Sequence, residues 1–150
     1  MGCCFSINFP SYDDAPKFEV IGTFKARLVD IYDGDTQTYV IRFNNEFYRV
    51  SVRVNGIDTP EIRSKDPGAI QARNRAFEIL TSKTIENHTK ADIKRILNEN
   101  RYMVTLRCIK SEKYGRTLAD VISYNGINLG DQLIKEKLAV KYDGGTKTLT

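Results

Sequence analysis

Residues 37–57 read QTYVIRFNNEFYRVSVRVNGI, and their alternation decides the fold. Tyr39, Ile41 and Phe43 fall on one face of an extended chain, and Val50, Val52 and Val54 fall on one face of the next. A period of two marks half-buried strands, predicted here over 37–43 and about 46–57. Asn44-Asn45 between them is a two-residue hairpin signal, because asparagine accepts the positive φ that tight hairpins need. Upstream, Phe24, Ala26 and Leu28 alternate with Lys25, Arg27 and Val29, which predicts a strand over about 22–31. A break at Asp33-Gly34-Asp35 separates it from the second strand, so the three form a meander.

Downstream the period changes. Asp66-Pro67-Gly68 opens a helix over about 67–82, with Ala69, Ala72, Ala76 and Leu80 at helical spacing. A short helix over 89–98 comes next, where Thr89 and Asp92 are placed as a capping box ahead of Ile93, Ile96 and Leu97. Tyr102, Val104, Leu106 and Cys108 mark a fourth strand, and residues 117–124 a fifth. Asn125-Gly126 turns the chain into a last helix, capped by Asn128 and carrying Leu129, Leu133, Ile134 and Leu138. The order β-β-β-α-β-β-α, with the extra helix near 89–98, is that of a five-stranded OB-fold, a β-barrel with helices (α+β). Residues 1–18 lack periodicity and read as a flexible arm. The folded domain is expected over 19–143, with a frayed tail over 144–150.

The 150 residues suffice for one cored domain. The formal charge of +4 suits a polyanionic partner without identifying one. No apolar run approaches the length of a membrane span. Three cysteines, two of them adjacent at the terminus, do not make a disulfide framework, and Cys108 reads as a buried thiol. With no apolar secretory leader, a reducing, cytoplasmic setting is expected. The single histidine, His88, reads as a surface residue.

Three segments concentrate charge and turn residues. They are Asp33-Gly34-Asp35-Thr36, Arg53 with Asp58-Thr59-Pro60-Glu61, and Lys113-Tyr114-Gly115-Arg116. Each alone is an ordinary surface turn. Together, in this order and spacing, they resemble the staphylococcal nuclease (thermonuclease) family, and the likeness extends through Leu118-Ala119 and the last helix. The resemblance implies a calcium-dependent endonuclease that cuts DNA and RNA to 3′-phosphates. It implies Ca²⁺ ligation by Asp35, Asp58 and the carbonyl of Thr59, catalysis by Arg53, Glu61 and Arg116, and nucleotide contacts from Tyr114 and Tyr142. For Tyr142, packing on the barrel as a tail residue is an equal alternative.

The residue types suit that chemistry. Attack on a phosphodiester gathers negative charge, which cations must meet. Carboxylates and a carbonyl make a hard, all-oxygen Ca²⁺ site. Arginine matches phosphate oxygens in pairs, and a glutamate can take the proton of attacking water. With Val50, Val52 and Val54 facing the core, Arg53 points outward, into a cleft. The family pattern differs in three places: this chain is short between Glu61 and the first helix, has extra sequence over 83–100, and stops where the bacterial pattern continues into a long helix.

Met1-Gly2-Cys3-Cys4-Phe5-Ser6 fits N-myristoylation at Gly2 with palmitoylation of Cys3 and Cys4. Two acyl chains anchor stably where one does not. The expectation is a monomer held at the cytosolic face of a membrane, as in plant relatives that the terminus resembles. The competing expectations are a catalytically silent OB-fold module that binds nucleic acid or protein, and a membrane-tethered adaptor. The complete set of Asp35, Arg53, Asp58, Glu61 and Arg116 favours the enzyme.

Overall fold

The computed structural model describes residues 7–143. Gly2, Cys3, Cys4 and the expected tail over 144–150 lie outside them. Strands β1 (Gly22–Asp33), β2 (Thr36–Phe43), β3 (Glu46–Val54), β5 (Met103–Ser111) and β6 (Arg116–Ser123) close a barrel in the order β1-β2-β3-β6-β5. All neighbours are antiparallel except β3 and β6. The helices are α1 (Pro67–Thr81), α2 (Lys90–Glu99) and α3 (Leu129–Lys135), and β4 (Ile57–Asp58) pairs with β7 (Val140–Lys141) in a small second sheet. This is the expected OB-fold barrel, and no helix of the described residues is long and apolar enough to cross a membrane.

The alternation places its apolar residues as read. Tyr39, Ile41, Val52, Val54, Ala26 and Leu28 are all buried in one core. The Asn44-Asn45 turn has positive φ at both residues, 49° and 66°, as a primed hairpin requires. Asp66 caps α1 by accepting from the Gly68 N–H at 2.8 Å, and the Thr89–Asp92 capping box of α2 is present in both directions. Residues 11–14 form a turn, and from Phe18 onward the chain touches the barrel, Phe18 meeting the Phe43 ring edge-on at 6.0 Å.

Two boundaries differ from the sequence reading. Strand β3 ends at Val54 rather than Ile57. Gly56, at φ 80°, turns the chain there, so Ile57–Asp58 leaves the barrel and pairs with β7. Helix α3 stops at Lys135 because Lys137 adopts φ 61°, and Leu138 then bonds back to the Leu133 carbonyl outside the helix. Tyr142, at the end of the expected domain, is fixed by its N–H donating to the Gly56 carbonyl at 2.9 Å. These short strands hold Asp58 and Tyr142 at one end of the barrel.

Two irregularities in β1 shape the rim of the barrel. The register of β1 against β2 shifts between Leu28 and Asp30 and again between Ile31 and Asp33. A bulge moves later side chains to the opposite face. The first shift therefore buries Ile31 in series with Ala26 and Leu28 despite the odd numbering, and Asp33, beyond the second, is buried at the turn.

Candidate active site

The β1–β2 turn is built by close packing rather than by an unusual backbone angle. A Cβ on Gly34 would stand 2.8 Å from both the Ala72 Cβ and the Thr59 Cγ2, so only glycine lets the turn lie against α1 and the β4 exit. Below the turn, Gln37 is fully buried, donating to the Gly34 carbonyl at 3.0 Å and accepting from the Tyr39 hydroxyl at 3.2 Å. The turn is thus satisfied from within the barrel, and its two buried carboxylates line the cavity at the rim.

Asp35 is buried and collects donors. Its Oδ2 accepts from the Thr59 N–H at 3.0 Å, its Oδ1 from the Thr36 hydroxyl at 3.1 Å, and its own N–H donates to Asp33 Oδ1 at 3.2 Å. Arg53 reaches over from β3 with Nη1 3.5 Å from Asp35 Oδ2 and Nη2 3.5 Å from Asp58 Oδ1, and donates to the Ile57 carbonyl at 3.2 Å. The Tyr142 ring lies 4.9 Å from its guanidinium carbon, a cation–π contact. Arg53 does point outward as read, yet its side chain is only 12% exposed. Its two carboxylate partners, the carbonyl and the ring make that burial tolerable.

A cavity of about 420 Å³ gathers these groups: Asp35, Arg53, Asp58, Glu61, Arg116 and Tyr142 all line it. Thr59 lies behind the wall, buried, tied to Asp35 through its N–H. Tyr114 is not among the lining residues; it sits 93% exposed at φ 62° on the one-turn helix Lys113–Gly115 before β6. Buried Arg116 Nε and Thr59 Oγ1 have no hydrogen-bond partner among the described residues.

Four further lining residues, Tyr32, Asp33, Thr36 and Arg63, have no functional reading in the sequence. Asp33 is one, buried at the end of β1 beyond its second register shift. Burial first, then a hydrogen bond and charge from Asp35, push the Asp33 carboxyl up to about 8. Burial also works against the charged form of Asp35, but hydrogen bonds from Asp33 and the Thr59 N–H, with the Arg53 charge, leave it below the usual carboxylate value. Thr36 lines the cavity through the same turn, and Arg63 and Tyr32, joined by Arg63 Nε donating to the Tyr32 hydroxyl at 3.3 Å, complete the four. The sequence carries a signal only for Asp33 and Thr36, which stand inside the first motif.

The donor set bears on a metal. No three His, Cys, Asp or Glu side chains among the described residues cluster tightly enough to hold an ion by themselves. What stands at the rim is two carboxylates within reach of one guanidinium, Asp35 and Asp58, with Asp33 and Glu61 on the same cavity wall. All are oxygen donors. That chemistry fits a hard divalent cation whose shell is completed by a carbonyl, water and phosphate, and not a thiol- or imidazole-seeking metal.

The family profile of staphylococcal nuclease homologues matches residues 51–148, about two thirds of the chain. The chain belongs to the staphylococcal nuclease family. The matched stretch carries Arg53, Asp58, Thr59, Glu61 and Arg116, while Asp35 comes to this nuclease homologue's cavity from β1–β2, outside it. A search of curated proteins returned no match. Membership supports nuclease or nucleic-acid-binding function and agrees with the barrel seen here.

Proposed function

We propose that the protein is a calcium-dependent endonuclease hydrolysing phosphodiesters of DNA and RNA to 3′-phosphate and 5′-hydroxyl products. The observation that carries this reading is the convergence of Arg53, Arg116, Glu61, Asp35 and Asp58 on one cavity. Asp35, Asp58 and the Thr59 carbonyl would hold Ca²⁺, which supplies positive charge against the phosphoryl oxygens and brings a water to them.

Each side chain then has a task. Arg116, with its buried Nε unpaired among the described residues, offers the remaining guanidinium donors to a phosphate. Arg53, held between Asp35 and Asp58, presents its fork from a fixed position, so little reorganisation accompanies charge build-up. Glu61, exposed at the cavity mouth, accepts the proton as water attacks phosphorus in line with the departing 5′-oxygen. The P–O5′ bond breaks and the 5′-oxygen takes a proton from solvent. Tyr142 steadies Arg53 through its ring and walls the cavity against a base. Tyr114, projecting freely from the β5–β6 turn, reaches substrate only beyond the cavity.

The test is single-turnover cleavage of DNA with Ca²⁺ by wild type, Arg53→Ala and Arg116→Ala. Each substitution is expected to lower the rate roughly 10²- to 10³-fold. Equal rates in all three would refute the assignment.

The same proposal places the protein at the cytosolic face of a membrane, through acylation of Gly2, Cys3 and Cys4. Incubation with myristoyl donor and its transferase should add one acyl mass, lost in Gly2→Ala; no Gly2-dependent gain would refute the anchor.

A further inference from the structure

The turn end of the β2–β3 hairpin projects beyond the barrel core. A barrel strand buries every second residue, and β3 does so from Val52 onward, yet Glu46, Phe47, Tyr48 and Arg49 are all exposed. Phe47 and Tyr48 have opposite parity and are 72% and 47% exposed, so the tip shows a ring on each of its two sides. Pairing of β3 with β6 begins only at Ser51, which leaves that flank of the tip open. Between Phe18, Phe43 and Tyr48 lies a hollow of about 380 Å³ that continues to Val20 and Val50. A lone exposed apolar side chain needs no explanation, whereas a cluster around a protruding turn marks a docking surface.

The path of the chain and the charge around the rings say what covers this tip. The amino-terminal arm arrives there, with Phe18 edge-on to the Phe43 ring at 6.0 Å and Val20 in the same hollow. Ile7, Phe9 and Tyr12 along the arm are exposed too, and ahead of them stands the acylation pattern of residues 1–6. Gly2 is sixteen residues from Phe18, so an acyl chain in a bilayer keeps the tip within roughly 50 Å of it. Lys17, Arg42 and Arg49 flank the rings. Arg49 makes no ion pair among the described residues, and Arg42 donates to neutral Asn45 Oδ1 at 3.4 Å. The acids nearby have donors of their own: Glu46 accepts from the Tyr48 hydroxyl at 3.4 Å, and Glu19 from the Ser111 N–H at 3.5 Å. The length of β2 separates the tip from Thr36 at the cavity, roughly 25 Å along the strand.

We propose that the β2–β3 tip, with the arm that meets it at Phe18, docks on an anionic bilayer surface. Phe47, Tyr48 and Phe18 enter at the level of the headgroups, where rings with one polar and one apolar side are at home. Arg42 and Arg49 lay their stems along the rings and reach lipid phosphates with their guanidinium groups. Lipid chains cover the hollow. Rings on opposite sides of one hairpin cannot all face a single flat partner, but a bilayer surrounds the tip. The inference rests on the membrane reading above, which supplies the acyl anchor, and it gives that anchor the second signal a single acyl chain needs for stable binding. It also sets an orientation. A tip-down protein holds its cavity about three Debye lengths from the anionic surface at physiological salt, so a polyanionic substrate meets it without repulsion from the membrane.

The test is co-sedimentation of the full chain, with and without myristate on Gly2, on vesicles of equal parts phosphatidylcholine and phosphatidylserine. The double variant Phe47→Ala with Tyr48→Ala should lower the partition coefficient about tenfold or more in both forms, as expected for two rings left in water. Arg49→Ala should lower it about fivefold, the share of one cation at an anionic surface, and should change nothing on phosphatidylcholine alone. Ile70→Ala, which removes an exposed apolar side chain from α1, should bind as wild type does. Wild-type partition in both the double variant and Arg49→Ala, matched unfolding midpoints having shown both folded, overturns the proposal. Tighter vesicle binding by the myristoylated double variant also overturns it, and would make the hollow a shelter for the acyl chain. Loss of labelled dT12 binding in chelator with vesicle binding intact overturns it as well, and would make the tip a nucleic-acid contact. A chain that takes no acyl group at Gly2 yet sediments through Phe47 and Tyr48 leaves the tip standing and removes the anchor.

Discussion

Gly34 shows at the level of one residue why the first motif has the form it does. Asp-Gly is a common turn signal, and from sequence alone the glycine reads as a turn former. Its backbone needs no special φ; what it lacks is room for a Cβ, with Ala72 and Thr59 both 2.8 Å from where one would stand. Gly34→Ala should therefore push the turn away from α1 and β4, loosening the Asp35–Thr59 bond. A destabilisation of roughly 1–3 kcal/mol is expected, readable as a urea midpoint shift, along with a loss of Ca²⁺ affinity larger than stability explains. An unchanged midpoint would show that the turn has slack. Arg53 and Asp33 divide in the same way between sequence and fold. The alternation of β3 predicts the outward direction of Arg53, but only the fold supplies the partners that let it be 12% exposed. Asp33 is legible as an acid and illegible as a wall of the cavity, because a bulge obeys local strain and cross-strand fit that period-two patterning does not encode.

Among the elements, those with strong local signals are legible nearly to the residue. The α2 capping box satisfies two backbone donors reciprocally, so Thr89→Ala should cost about 1 kcal/mol in thermal or urea unfolding. An unaltered midpoint would show that α2 is held by Ile93 and Leu97 against the barrel alone. Helix α1 is tied to the end of α3 by Arg75, whose Nε and Nη2 donate to the Glu136 carboxylate at 2.7 and 3.0 Å. The hydrogen bond from Arg75 leads the influences that hold Glu136 below its ordinary 4.5. A depressed carboxylate stabilises the fold fully above its unfolded pKa and loses that contribution as pH falls through the folded value. Glu136→Gln should thus be about 0.5–1 kcal/mol less stable at pH 7, with the gap closing below about pH 4.5. A gap independent of pH would show packing rather than charge. The elements absent from the sequence reading, β4 and β7, are two residues each. Their pairing depends on Gly56 and Lys137 adopting positive φ far apart in sequence, which no local periodicity reports.

At the scale of the whole molecule, the barrel brings together what three separate turns carry. Asp35 comes from the β1–β2 turn, Arg53 from β3, Asp58 and Glu61 from the chain leaving it, Arg116 from the start of β6, and Tyr142 from the end of β7. The parallel β3–β6 pairing is the step that sets Arg116 beside Ser51 and hence two residue pairs along the ladder from Arg53. Spacing and resemblance make the set legible; the burial of Asp33 beside Asp35, and the cavity they line together, belong to the closed barrel alone. The central claim is that this convergence is catalytic and driven by calcium. Its most direct test is digestion of single-stranded DNA by wild type and Glu61→Gln, with millimolar Ca²⁺ or with chelator. The account predicts cleavage to 3′-phosphate ends by the wild type with Ca²⁺ alone, and a rate at least about 10²-fold lower in Glu61→Gln, the share of a general base. Cleavage that persists in chelator, or a Glu61→Gln rate equal to wild type, would contradict it.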